Sequence, residues 1–270
     1  MSVLSHLTST TSSLLLKGPS SEGIKASIET LESRLKSYFA SDDARAYITF
    51  GSWPRGTNLP RAADQYADVD YMVVFYGDTS TKPQTLLDRL RRFVESKYST
   101  SEVKQSHPTI LLSLNHIHFD LVPAVRWGNS TDGTLQIPSV SSTFSEWQPT
   151  YPYAAAAAVE KHNGENESLS KPLIRLLKYW NCQADPYSRP FGSFDLEEYV
   201  VGKYFYPRTN LKDYFYGAVE GLPSAWDLAQ SKKDRISRLK EIVANAKKYE
   251  QDEMPATAEA EIKKVIPEFL

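Results

Sequence analysis

Two carboxylates placed two residues apart open an otherwise apolar strand, Asp68-Val69-Asp70-Tyr71-Met72-Val73-Val74-Phe75-Tyr76. Residues two apart in a strand project from the same face, so Asp68 and Asp70 stand side by side. Adjacent unpaired carboxylates repel and resist burial. A chain that builds a core around this strand therefore needs something cationic between them. Asp120 repeats the oddity, sitting between Phe119 and Leu121 in a second apolar stretch that continues Val122-Pro123-Ala124-Val125. Three acids on neighbouring strand ends make a cage for hard divalent cations, and Mg2+ prefers carboxylate oxygens and substrate phosphates to a closed protein shell. Taken singly the signals are weak. A lone DxD is common by chance, and Asp120 alone would serve as an N-cap or a salt-bridge partner.

Order and context give the acids their meaning. Arg45 to Phe50 reads as a short strand running into Gly51-Ser52, followed by a Pro-, Gly- and Asn-rich loop from Trp53 to Ala67. A glycine at a strand end lets backbone approach phosphate closely, and the following N–H groups and the Ser hydroxyl can bind triphosphate oxygens. A lone Gly-Ser is more often a plain turn. Strand, Gly-Ser, loop, DxD strand, helix and a hairpin strand with one Asp together fit two-metal phosphoryl or nucleotidyl transfer, in which two ions roughly 3.5–4 Å apart bracket the attacking and leaving oxygens. Asp68 and Asp70 would hold both ions. Asp120 would complete the one that activates the attacking hydroxyl, and would accept its proton.

The rest of the chain divides in two. A helix over about 22–39 carries Ile24, Ile28, Leu31, Leu35 and Phe39 on one stripe, and Pro83 opens another to about Tyr98. Thr109 to Leu114 and Ile117 to Val125 read as a hairpin. From Tyr153 the periodicity is helical, over about 153–162, 169–181, 193–205, 234–249 and 256–264, with Pro207 to Pro223 as a linking stretch. The seam falls near Pro149, giving a domain of mixed strands and helices over 1–150 and a helical lobe over 151–270. Residues from 1 to about 21 read as a polar, Ser/Thr-rich lead-in. It lacks a basic start and has only Leu14, Leu15 and Leu16 as an apolar centre, so it is not expected to be a signal peptide.

Composition narrows the function classes. With 31 Lys+Arg against 33 Asp+Glu the formal net charge is -2, which argues against a chain-wide basic surface for a nucleic-acid polymer. The single cysteine, Cys182, excludes an internal disulfide framework and any Cys-rich zinc site, and fits a reducing, cytoplasmic setting. No apolar run approaches the roughly 18 residues that span a bilayer, so no membrane partner is expected.

Gly51-Ser52 with Arg55-Gly56-Thr57 close behind, then Asp68-Val69-Asp70 and Asp120, resemble the polymerase-β-like nucleotidyltransferase signature. Downstream, Ile137-Pro138 followed by Trp147 and Pro149, the run from Pro172 to Asn181 (PLIRLLKYWN), and Ser193 to Glu197 (SFDLE) resemble the helical lobe of the cGAS/DncV-like nucleotidyltransferases, the CD-NTases. The 2′-5′-oligoadenylate synthetases share this lobe. Ala244, Ala246, Tyr249-Glu250 and Ile266-Pro267 extend the likeness to the tail, so it runs from about residue 22 to the C-terminus. Trp53 departs from the pattern, standing where a smaller aromatic is usual, and the Trp53–Ala67 loop, with Arg55 and Arg61, is long. The zinc-binding insertion of the DNA-sensing animal enzymes is missing, so the nearest resemblance is to bacterial members, which act in antiphage (CBASS) defence.

The resemblance implies an α/β (α+β) fold, a polymerase-β-like core with a mixed sheet plus a helical C-terminal lobe, with the active site in the cleft between them. It implies two Mg2+ ions, with Mn2+ able to substitute, at Asp68, Asp70 and Asp120, and phosphate contact at Gly51 and Ser52. It also implies nucleotide binding by Lys178 and Ser193. Arg175 lies three residues before Lys178 on the same helical face and would join it, although by pattern alone the two fit a solvated helix face as well, and Ser193 fits a helix cap. The implied activity is template-independent joining of nucleoside triphosphates (ATP or another) into a cyclic or linear oligonucleotide second messenger with release of pyrophosphate. A downstream effector would bind the product, and no nucleic-acid template is expected. The alternative keeps the fold and transfers a nucleotide to RNA ends or a protein acceptor. A non-catalytic scaffold ranks below both, because all three acids are present.

Overall fold

The computed structural model describes residues 2–41, 43–98, 102–106, 108–126, 134–139, 146–205, 207, 209–224 and 227–269. In chain order the elements are α1 (Val3–Ser13), α2 (Pro19–Tyr38), β1 (Ala44–Phe50), α3 (Ser52–Arg55), β2 (Asp68–Phe75), α4 (Pro83–Lys97), β3 (Glu102–Ser106), β4 (Thr109–Ser113), β5 (His118–Arg126), β6 (Leu135–Pro138), β7 (Trp147–Thr150), α5 (Pro152–Glu165), α6 (Ser170–Cys182), α7 (Ser193–Val201), α8 (Leu211–Glu220), α9 (Gln230–Gln251) and α10 (Pro255–Lys263). They form two compact units. One comprises Lys17–Arg55 and Tyr66–Ala157, the other Met1–Leu16, Gly56–Gln65 and Ala158–Leu270. The division differs from a single seam near Pro149: it falls inside α5, and two N-terminal segments belong to the helical unit. Among the described residues no helix is long and apolar enough to cross a membrane.

The first unit is built on a mixed sheet of order β1-β2-β5-β4-β3, with β6 added to β5 and β7 to β6. Among the described residues only β2 and β5 run parallel, and every other pair is antiparallel. Strand alternation sorts β2 into two faces. Val69, Tyr71, Val73 and Phe75 pack with Leu86, Leu87, Leu90, Phe93 and Val94 of α4 and with Leu31 and Leu35 of α2. Met72 and Val74 face the other way, against Ala124 and Leu135. Each fully buried Leu or Phe contributes about 1.5–3 kcal/mol, so this double-sided core holds the central strands firmly. Pro19 and Pro83 open α2 and α4 at the first turn, where a missing N–H is harmless.

The helical unit centres on α6, buried nearly all round through Leu173, Ile174, Leu176, Leu177, Tyr179 and Trp180. Trp180 is thus a core residue, with the Arg235 guanidinium 5.5 Å from its ring centroid. The N-terminal stretch is not a polar lead-in. Residues 3–13 form a helix whose Val3, Leu7, Thr10 and Thr11 are buried, and Ser2 caps it through a reciprocal bond with Ser5. Ser and Thr suggest a loop by composition, yet here they cap the helix or line its packed face. Met1 lies outside the described residues. Likewise, most of the expected linking stretch after Pro207 is a helix, α8, capped by Asn210 and buried through Leu211, Tyr214, Phe215, Tyr216 and Val219; residue 208 lies outside the described residues. The helix expected over 193–205 ends at Val201, because Gly202 takes the C-cap. Phe205 is buried separately, stacked on Tyr214 at 4.4 Å.

Candidate active site

Parallel pairing of β2 with β5 sets the acids. Asp68 lies opposite His118, and Asp70 opposite Asp120. All three acids share the strand parity of Met72, Val74 and Ala124, so they emerge at the start of the two strands, on the face opposite α2 and α4. One carboxylate oxygen from each lies within 4.8 Å of the other two. The three are half-buried. The Asp120 carboxyl is pushed up from 3.8 to about 7, first by burial and then by the Asp68 charge, while a hydrogen bond with Thr109 pulls the other way. Without a cation, burial first and the Asp68 charge second leave Asp120 holding a proton near neutral pH. Convergent carboxylate oxygens that hold a proton only for want of positive charge fit a hard divalent cation.

Gly51 has two reasons to be glycine. Its φ is +70°, a region costly for other residues. In addition, a Cβ there would stand 1.7 Å from Asp70 Oδ2. The chain thus passes directly over an acid of the cluster, following the register that pairs Phe50 with Asp70. Ser52 is the first residue of the one-turn α3. Trp53, the departure in the turn, packs partly buried against the sheet core, which explains how a large ring is accommodated.

Arg175, Lys178 and Ser193 belong to the helical unit, and the first two are not on a solvated face. Arg175 and Lys178 are 6% and 5% exposed and, with Asn181, form a polar stripe at three-residue spacing on the buried α6. Asn181 donates to the Phe191 carbonyl at 2.8 Å. Arg175 Nη1 donates to the Gly56 carbonyl at 2.8 Å, and burial lowers its guanidinium to about 10. Lys178 pairs with Glu197, itself 1% exposed, and donates to Thr57 Oγ1 at 3.4 Å. The Thr57 hydroxyl in turn donates to Glu197 Oε1 at 2.6 Å. A bidentate Arg189–Asp64 pair at 2.9 and 3.1 Å and a Cys182 Sγ contact with the Ala63 carbonyl hold the same 56–65 segment. Ser193 is exposed at the first position of α7, after the N-cap Gly192. Sequence reasoning missed Thr57, Glu197, Thr109, Asp64 and Arg189. Thr57 and Glu197 lay inside the RGT and SFDLE segments already singled out, so a signal existed; the Arg189–Asp64 pair, 125 residues apart, had none.

Residues 1–163 match the family described as SMODS, the Second Messenger Oligonucleotide or Dinucleotide Synthetase domain. Comparison with curated proteins gives no match. Among solved structures, the Vibrio cholerae di-nucleotide cyclase DncV (a D-loop deletion mutant) is 12% identical at a TM-score of 0.74, covering 99% of this chain and 96% of that one. Escherichia coli MS115-1 CdnC, solved with ATP, is 16% identical at 0.70, covering 98% of each. The STING-associated CdnE c-di-GMP synthase of Capnocytophaga granulosa is 18% identical at 0.68, covering 92% and 87%. At such identities the likeness shows the fold, and that fold is the polymerase-β-like nucleotidyltransferase arrangement expected from the motifs.

Proposed function

We propose that this chain, which belongs to the family of Second Messenger Oligonucleotide or Dinucleotide Synthetase domains, is a template-independent nucleotidyltransferase that joins nucleoside triphosphates into a cyclic or linear oligonucleotide. The observation that carries the reading is the convergence of Asp68, Asp70 and Asp120 beneath a glycine that only a side-chain-free residue can occupy. A ribose hydroxyl of one nucleotide attacks the α-phosphorus of another; the new O–P bond forms as the α–β phosphoanhydride breaks and pyrophosphate leaves. A second round at the same acids closes a ring. The three carboxylates would hold two Mg2+ ions, with Mn2+ able to substitute, which would lower the pKa of the attacking hydroxyl and offset triphosphate charge.

This chain's own groups do the rest. The Asp120 carboxylate, ionised beside the ions, is placed to accept the proton of the attacking hydroxyl. The Gly51 turn brings backbone close to phosphate, and the Ser52 hydroxyl and the α3 amides bind its oxygens. Lys178 and Ser193 are assigned to the nucleotide on the strength of the family pattern, and Arg175 because it lies three residues from Lys178 on the same helix. For Lys178 that contact competes with Glu197, and for Arg175 with the Gly56 carbonyl. ATP, the ligand solved with CdnC, is the first substrate to try. Family likeness also supports a place in bacterial antiphage signalling, with an effector protein reading the product.

Labelled ATP, GTP, CTP and UTP, singly and mixed, with Mg2+ or Mn2+, test the reading. The expected result is pyrophosphate release and a labelled product resistant to phosphatase, both lost in Asp68→Asn/Asp70→Asn with the fold intact by circular dichroism. Absence of product from every mixture, with the protein folded, refutes it. Label that moves instead to RNA or to protein redirects the chemistry to another acceptor.

A further inference from the structure

The helical unit carries a second group of side chains of the kinds that ligate metals, separate in sequence from Asp68, Asp70 and Asp120. His6 of α1, Glu259 of α10 and Glu268 of the C-terminal tail each place one donor atom within 4.8 Å of the other two. His6 and Glu259 are buried, and Glu268 is exposed.

Two details set this group apart from an ordinary charge cluster. His6 Nε2 bonds the Ile266 carbonyl at 2.8 Å. A carbonyl only accepts, so Nε2 carries the proton, and in the neutral ring Nδ1 presents a lone pair. Metal-bound histidines are commonly oriented this way, through a backbone carbonyl on the far nitrogen. The second detail is Glu259. It is only 4% exposed, and its Oε2 is buried with no hydrogen-bond partner among the described residues. A buried carboxylate oxygen with no donor is unfavourable. Lys263 offsets part of the charge, bonding Glu259 Oε1 at 2.8 Å and Glu268 Oε1 at 2.7 Å. That leaves two carboxylates facing one ammonium.

We propose that His6 Nδ1, Glu259 Oε2 and a Glu268 carboxylate oxygen form a transition-metal site, best suited to Zn2+, that ties the first helix to the last helix and the tail. One imidazole and two carboxylates are a borderline donor set; Mg2+ and Ca2+ take oxygen, whereas Zn2+ takes both atoms at roughly 2.0–2.2 Å. Bonds of that length draw the three donors slightly inward, and the exposure of Glu268 leaves a side open for water as a fourth ligand. A protonated His6 is the competing occupant. It would present Nδ1–H to a carboxylate, yet the buried Glu259 oxygen accepts no bond.

Zinc binding to the full chain tests this, with Asp68→Asn, Asp70→Asn and Asp120→Asn in place so that the other acids take up no metal. Calorimetry on chelator-stripped protein in excess Mg2+ should find one Zn2+ per chain, and Zn2+ at about 100 times its Kd should raise Tm by about 5 °C. His6→Gln and Glu259→Gln should each weaken binding on the order of 100-fold. Co2+ gives a readout that needs no further variant: a visible band of nitrogen- and oxygen-bound Co2+ that Zn2+ displaces supports the site. Absence of Zn2+ uptake, uptake unchanged in folded His6→Gln and Glu259→Gln, or a Co2+ spectrum identical to the aqueous ion overturns it. So does a Tm that saturating Zn2+ leaves unchanged.

Discussion

Asp120→Asn should make the metal-free protein more stable while removing its activity. The Asp120 carboxyl rises from 3.8 to about 7 because it is buried and faces the Asp68 charge. In the unfolded chain it ionises near 3.8. Between about pH 4 and pH 7 the unfolded state has therefore lost a proton that the folded state keeps, and folding stability falls as pH rises through that window. The full stability is present below about pH 4, and the loss is complete above about pH 7. A rise of about three pKa steps at about 1.4 kcal/mol each sets a ceiling of ~4 kcal/mol; with partial relaxation of the site, about 2–3 kcal/mol is the expected gain for asparagine at pH 7.5. Asparagine keeps the size of the side chain and offers Thr109 an amide without the charge.

The assay is denaturant unfolding in excess chelator from pH 4 to pH 8, wild type against Asp120→Asn, with hydrogen exchange of β2 and β5 amides reporting the sheet unit by itself. Taking the difference between the two proteins removes the titrating groups that do not interact with Asp120. Wild type minus variant should decline across the window and level off above it. Saturating Mg2+ should reverse the order, since only the wild type keeps all three carboxylates for the ion. A variant less stable than wild type in chelator at pH 7.5, or a difference that is flat from pH 4 to pH 7, would refute the argument that burial and Asp68 strain this carboxylate.

Gly51→Ala should lower kcat/KM on the order of 100-fold, because its Cβ would displace Asp70 Oδ2 from 1.7 Å and misplaced catalytic groups lose rate steeply; the positive φ adds about 1–2 kcal/mol of destabilisation. Wild-type kinetics in that variant would show that neither the turn nor Asp70 matters. Glu197→Leu should cost about 3–5 kcal/mol by leaving Lys178 buried without its partner, and Lys178→Met with Glu197→Leu should recover most of that in thermal melts. The folded double variant also tests the role of Lys178: a raised KM for nucleotide is expected if it reaches the triphosphate, and an unchanged KM removes that assignment.

Four strands, β1, β2, β4 and β5, and most helices were legible from apolar periodicity or an apolar run; β3, Glu102–Ser106, was not read as a strand. β2 alternates between two packed faces, and α4 carries one stripe. What escaped detection lacked such contrast. α1 has hydroxyls on both its packed and its solvent face, so Thr10 and Thr11 are buried among residues that read as loop. α8 carries Lys212, Asp213 and Glu220 opposite its buried face, but its Tyr, Phe and Gly, between Pro207 and Pro223, give it the composition of a linker. The strands β6 and β7 have four residues each, too few for alternation to register.

The same contrast explains which site residues could be read. Asp68, Asp70 and Asp120 break the apolar pattern of their own strands, and a local violation is visible without knowing what lies across from it. Lys178 and Glu197 break a pattern too, but a charged residue every third or fourth position on a helix has an innocent explanation in solvent, and only the knowledge that α6 and the inner face of α7 are buried removes it. Once both are buried, each charge requires the other: a Lys at 5% exposure and a Glu at 1% can only remain ionised in contact, with Thr57 completing the set. Burial of the partner element, which no window of sequence contains, turns an ordinary surface spacing into an obligatory pair. A segment such as 56–65, held by Arg175, Lys178 and Arg189 from more than a hundred residues away, is therefore the part of this chain that local pattern reads worst, even though it falls between Ser52 and Asp68 in the sequence.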